Sequence, residues 1–94
     1  MTSMGVFVIF RTTKIDLLKD ALEREFPGDH LMVSPGEFLV SSPGTAQYVS
    51  DKLGLTGNGR SVGSGIIVRI HDYYGRASAE IWDWIRTKAE ASGG

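Results

Sequence analysis

One strand-to-helix unit near the C-terminus constrains the fold more than any other stretch of this chain. Residues 65–75 read GIIVRIHDYYG, a short apolar strand that runs into polar and aromatic residues. In residues 77–91 apolar side chains recur at helical spacing, and at about 100° per residue they share one side of a helix. This stripe, in which Lys88 is the only charge, consists of Ala77, Ile81, Trp82, Trp84, Ile85 and Ala89. We expect this helix to pack one face on a core, with one tryptophan at the rim.

Length and composition limit the class of protein. A chain of 94 residues predicts one domain spanning residues 1–94, with disordered tails at 1–4 and 92–94. The net charge of −1 gives no overall attraction to nucleic acid or to an anionic membrane. The absence of cysteine excludes disulfides and thiolate chemistry and favours a cytoplasmic location. No apolar run reaches the ~20 residues of a membrane helix, so no membrane partner is expected.

The remaining sequence supplies the other elements. Residues 5–11 are β-branched and aromatic and predict a central strand. A helix follows over residues 15–26, which Thr12 or Thr13 can cap. Two short strands flank the turn Ser34-Pro35-Gly36 and predict a hairpin. A second helix begins near residues 42–45, capped by Ser42 or Thr45, and ends at Gly54.

The predicted order is β-α-β-β-α-β followed by an extra C-terminal helix. This order predicts an α+β class and a ferredoxin-like two-layer sandwich, in which the helices cover one face of an antiparallel sheet. The usual strand order of such a sheet is 4-1-3-2.

The open face of this sheet is the first candidate site. If Val6, Val8 and Phe10 face the helices, the alternate residues of the first strand face away from them. The face would then mix apolar and basic groups that could contact nucleic acid, or it could be covered by a second subunit or by the added C-terminal helix. With the two tryptophans of the last helix as further anchors, this candidate face comprises Phe7, Ile9, Arg11, Arg69, His71, Trp82 and Trp84. Ile67 would accompany them on the last strand, if Ile66, Val68 and Ile70 point inward.

The glycine-rich segment before the last strand is the second candidate. Its backbone N–H groups and one arginine could wrap an anion, and the residues concerned are Gly57, Gly59, Arg60 and Gly63. However, a helix precedes this segment and a strand follows it, whereas phosphate-binding loops run from a strand to a helix. A flexible connector is the simpler interpretation.

Two histidine–aspartate pairs, Asp29-His30 and His71-Asp72, are the third candidate. Such pairs can bind metal or transfer protons. In a 4-1-3-2 sheet they lie on opposite edges, so one subunit would not bring them together. We therefore expect no metal site, no cofactor and no catalytic residue.

The strand and helix of residues 37–49, and the strand of residues 65–70, resemble the compact ferredoxin-like CRISPR-associated and virulence-associated small nuclease-like family. The resemblance covers residues 5–71 and implies a homodimeric ferredoxin-like fold. Some members of that family bind or cut nucleic acid through an aspartate at the end of the first strand. This chain has Phe10-Arg11-Thr12 there, so the resemblance implies the fold and the dimer without the nuclease.

These observations favour a small, non-enzymatic interaction module that self-associates. The first alternative is a nucleic-acid-binding module that uses Arg11, Arg60, Arg69 and His71. The second is a small-ligand or metal-dependent enzyme centred on His71 and Asp72, with Tyr73 beside them.

Overall fold

A computed structural model of the chain describes residues 4–57, 62–71 and 78–91. The elements in chain order are β1 (Met4–Phe10), α1 (Ile15–Glu25), β2 (His30–Ser34), β3 (Glu37–Pro43), α2 (Ala46–Leu53), β4 (Ile66–Arg69) and α3 (Ala79–Ala91). Met4 begins β1 and pairs with Pro43, so the expectation of a disordered tail over residues 1–4 is wrong at Met4. The rest of the two expected tails, residues 1–3 and 92–94, lies outside the described residues.

The four strands form one sheet in the order β2-β3-β1-β4, and all neighbouring strands are antiparallel. The predicted α+β class, the antiparallel sheet and the strand order 4-1-3-2 are confirmed. Because β1 lies between β3 and β4, it hydrogen-bonds on both sides, and β2 and β4 are the two edge strands.

Local sequence explains most of the element boundaries. Thr45 caps α2 by accepting a hydrogen bond from Tyr48 N–H at 3.1 Å, as predicted. Gly54 ends α2 in the left-handed conformation, with φ of 89°. The predicted capping of α1 is wrong, since its first residue is preceded by Lys14 without any side-chain cap. The hydroxyls of Thr12 and Thr13 bind other segments instead.

The main core lies between the sheet and the helices α1 and α2. Leu18 and Leu22 of α1 and Val49 of α2 are fully buried against the sheet. The strands contribute four fully buried side chains to this core, namely Phe7 and Ile9 of β1 and Phe38 and Val40 of β3. Ile67 of β4 packs at its margin.

The predicted orientation of β1 is therefore wrong. Phe7 and Ile9 were expected on the open face, but both are fully buried under α1 and α2. Val6, Val8 and Phe10 consequently face the opposite side, because side chains alternate along a strand. The residues on each face of β1 are apolar. The alternation therefore shows which residues share a face, but it does not show which face α1 and α2 cover.

The C-terminal helix α3 covers part of the second face. It contacts β1, and its Ile85 is buried although it does not belong to the core under α1 and α2. Val6 of β1 and Leu39 of β3 are likewise buried outside that core. α3 therefore lies against β1 on the second face, which Leu39 shares through its pairing with Val8. Within the described residues, no helix is long and apolar enough to cross a membrane.

Gly63 offers a test of how the segment before β4 is packed. It has φ of +87°, and a Cβ there would clash with Thr13 Oγ1. Gly63→Ala should therefore combine a backbone cost of about 1 kcal/mol with an overpacking cost of about 1–3 kcal/mol. Gly28→Ala is the matched control, because Gly28 has φ of +76° and nothing within 4 Å of a Cβ. Urea denaturation should show the larger loss for Gly63→Ala, and equal losses would contradict this packing.

Candidate interaction surface

An apolar strip runs along the uncovered part of the second face. It consists of Val8, Phe10, Ile66 and Val68, and we call these four residues the outer strip. The pairs Val8–Val68 and Phe10–Ile66 stand directly opposite each other on β1 and β4, so all four side chains share one face. Ile66 is 48% exposed and Val68 is 43% exposed, while Val8 and Phe10 are half-buried. The strip thus presents aliphatic and aromatic side chains to solvent beside an edge strand.

Arg69 lies on the other face of β4 from the outer strip. It is paired with Phe7, and its guanidinium carbon lies 5.9 Å from the centroid of the Phe7 ring. A Cβ on Gly5 would lie 3.0 Å from Arg69 Nε, so the glycine leaves room for this side chain. Arg69 therefore shields one end of the main core while its side chain remains exposed.

The other residues of the predicted face are dispersed. Arg11 follows β1, is exposed and has φ of 58°, a left-handed conformation that non-glycine residues seldom adopt. His71 is exposed two residues after β4. Trp82 and Trp84 are both half-buried on α3. The seven predicted residues thus divide between two faces and two loop positions and do not form one surface.

One lysine holds α3 to the rest of the fold. Lys88 Nζ donates hydrogen bonds to Asp29 Oδ1 at 2.8 Å and to the carbonyl oxygen of Gly28 at 3.3 Å. The same ammonium lies 5.9 Å from the centroid of the Trp84 ring. This contact joins α3 to the turn between α1 and β2. Ile85, one turn earlier, is buried beneath the helix.

A cleft of about 470 Å³ opens where β1 ends, lined by Arg11, Thr12, Thr13, Ser64, Gly65 and Ile66. Its walls are joined by reciprocal hydrogen bonds. Thr13 N–H donates to the Ser64 carbonyl at 3.3 Å, and Ser64 N–H donates to Thr13 Oγ1 at 2.9 Å. Thr12 Oγ1 donates to the Gly36 carbonyl at 2.7 Å. The threonine hydroxyls of the cleft are therefore engaged in holding the fold together.

The glycine-rich segment has structural reasons for two of its glycines. Gly63 packs against Thr13 and also against Lys14, whose Cγ would lie 3.0 Å from a Cβ at this position. Gly57 has φ of +84°, and a Cβ there would lie 3.4 Å from Asp51 Oδ1. A carboxylate at this distance is unfavourable for an anion bound at Gly57. Gly59 and Arg60 lie outside the described residues.

The histidine–aspartate pairs engage other partners where the structure describes them. His30 Nδ1 lies 2.8 Å from the Phe26 carbonyl and must donate, since the carbonyl accepts. Asp29 binds Lys88. Asp72 and Tyr73 lie outside the described residues. In residues 4–57, 62–71 and 78–91, no group of three or more histidine and carboxylate side chains could hold a metal ion.

Sequence reasoning missed the outer strip because it placed the faces of β1 the other way round. Val8 and Phe10 were expected in the core, and Ile66 and Val68 were expected to point inward beside them. β1 itself offers no signal, since both of its faces are apolar. The available signal lies in β3, where Glu37 marks the outward face, although the apolar Leu39 shares that face, and Phe38 and Val40 lie on the other.

Comparisons of the chain with protein-family models, with curated proteins and with solved structures gave no match. The resemblance to the small nuclease-like family therefore stays a prediction.

Lys88→Met tests the attachment of α3, since methionine keeps the apolar stem and removes the ammonium. The Lys88 side chain is 23% exposed and that of Asp29 is 43% exposed, so solvent weakens the pair, and we expect a loss of about 0.5–1 kcal/mol. Arg86→Met is the control, because the Arg86–Asp83 pair on the same helix is more exposed. Urea denaturation, followed by tryptophan fluorescence, should show a lower midpoint for Lys88→Met than for Arg86→Met. An unchanged midpoint for Lys88→Met would contradict the proposed attachment.

Proposed function

We propose that this protein is a self-associating interaction module that acts through protein contacts rather than catalysis, and that the outer strip is its contact surface. The observation that carries the proposal is the exposure of Ile66 and Val68 on one face of an edge strand, beside the half-buried Val8 and Phe10. Covering the exposed parts of Ile66 and Val68 would stabilise a complex by roughly 1 kcal/mol each.

The small size of the strip indicates a weak, reversible contact. Four partly exposed side chains are far fewer than the roughly 20 residues that each partner contributes to a standard interface. We therefore expect a monomer–dimer equilibrium that depends on protein concentration. Such a surface suits a module that assembles when its local concentration rises.

The proposal also concerns the fold type, the oligomeric state and the cellular location. We propose that the α+β domain is ferredoxin-like, on the basis of its strand order and its antiparallel pairing. Homodimerisation agrees with what the resemblance to the small nuclease-like family implies. The cysteine-free composition supports a cytoplasmic location.

Nucleic-acid binding is the alternative that the same experiments address. The surface expected to stack on bases included Phe7 and Ile9. Both residues are buried beneath α1 and α2, so neither the Phe7 ring nor the Ile9 side chain can stack on a base. Arg11 and Arg69 remain exposed cations. Binding of short RNA through them would weaken steeply as salt rises.

The double variant Ile66→Gln/Val68→Gln tests the outer strip. Both side chains are exposed enough for glutamine to be tolerated in the monomer, while an apolar contact would be lost. Sedimentation velocity over a concentration series should show self-association for the natural sequence and a dimer Kd raised by at least about tenfold for the variant.

The double variant Leu17→Gln/Met32→Gln is the matched control. Leu17 is 48% exposed and Met32 is 45% exposed, so the same exposed apolar surface is lost away from the strip. The control should associate like the natural sequence. A natural sequence that stays monomeric at every concentration, or a control as impaired as the strip variant, would overturn the proposal. Adding short RNA at low salt to the same series tests the alternative directly.

A further inference from the structure

We propose that two copies of this chain join through their β4 strands, which pair antiparallel about a two-fold axis and continue the sheet from one copy into the other. This inference rests on the proposed self-association and specifies its geometry. The outer strips of both copies would then meet side by side on one face of an eight-stranded sheet.

The hydrogen-bond pattern of β4 leaves an edge that can accept such a partner. Ile70 N–H donates to the Val6 carbonyl at 2.8 Å, so Ile70 faces β1 with its backbone groups. In an antiparallel pair these groups alternate in direction along the strand. Ile66 and Val68 therefore also bond to β1, while the N–H and C=O groups of Ile67 and Arg69 point to the outer edge. No strand of the described residues lies along this edge.

Proline and β-bulges discourage pairing at a sheet edge, and β4 contains neither, although it is only four residues long and ends with the charged Arg69. The opposite edge, β2, does carry one. Its pairing with β3 is irregular between Met32 and Ser34, and Pro35 follows immediately. β4 is therefore the more regular of the two edges, and we place the pairing there.

A second copy is the occupant we place at this edge, because it brings a second outer strip that can cover the exposed Ile66 and Val68 side chains. Residues that stand directly opposite each other in paired strands have side chains on the same face of the sheet. A two-fold axis perpendicular to the sheet near Val68 therefore brings the exposed Ile66 and Val68 side chains of both copies together on one face. Arg69 follows Val68 and lies on the other face of β4. In this arrangement each Arg69 pairs with an apolar residue or a glycine of the second copy, so the two Arg69 side chains are not directly opposed. Two-fold pairing also closes after two chains and does not build a filament.

Arg69→Pro and Arg69→Ala form the decisive pair of variants. Both remove the guanidinium from Phe7, but only proline removes the outward N–H and places its ring on the β4 edge. The hydrogen bonds from β4 to β1 remain in both variants. In sedimentation velocity, Arg69→Pro should raise the dimer Kd about tenfold or more relative to Arg69→Ala.

Equal dimer Kd values for two folded variants would overturn edge pairing while leaving self-association intact. A natural sequence that is monomeric throughout would overturn the proposed function together with this inference. If Arg69→Pro does not fold, amide hydrogen exchange of the natural sequence decides the question. Raising the protein concentration should slow exchange at Ile67 and Arg69, and exchange there that ignores concentration would overturn the pairing.

Discussion

The fold depends on the double pairing of β1. This strand hydrogen-bonds to β3 on one side and to β4 on the other, so it fixes the order of the whole sheet. Its side chains also supply both faces, since Phe7 and Ile9 pack under α1 and α2 while Val6 is buried on the opposite face, where α3 contacts the strand. Because β1 is apolar on both sides, the domain needs cover on both faces.

That need explains where the candidate surface lies. The helices α1 and α2 cover the first face completely at β1, where Phe7 and Ile9 are fully buried. A single helix, α3, contacts β1 on the second face, where Val6 and Leu39 are buried, while Ile66 and Val68 of β4 remain exposed. Lys88 fixes α3 toward the α1–β2 turn, which lies next to β2 and β3, on the far side of β1 from β4. The outer strip is thus a part of the second face that the described chain leaves partly exposed.

The sequence predicted the elements better than their orientation. Turn and cap residues act locally, so the Pro35-Gly36 hairpin and the α2 helix between Thr45 and Gly54 were correctly predicted. The faces of β1 depend on pairing with distant strands, and a strand that is apolar on both sides carries no local signal for them. Phe7 and Ile9 were therefore wrongly placed on the open face. The close packing of Gly63 on Thr13 is equally non-local, and the glycine suggested flexibility instead.

The most direct test of the outer strip as a contact surface is a dilution series of the natural protein followed by amide chemical shifts in NMR spectra. The account predicts that shifts change with concentration at Val8, Phe10, Ile66 and Val68 and along β4, while Leu17 on α1 and Met32 on β2 stay constant. Changes confined to α1 or β2, or spectra that do not depend on concentration, would contradict it.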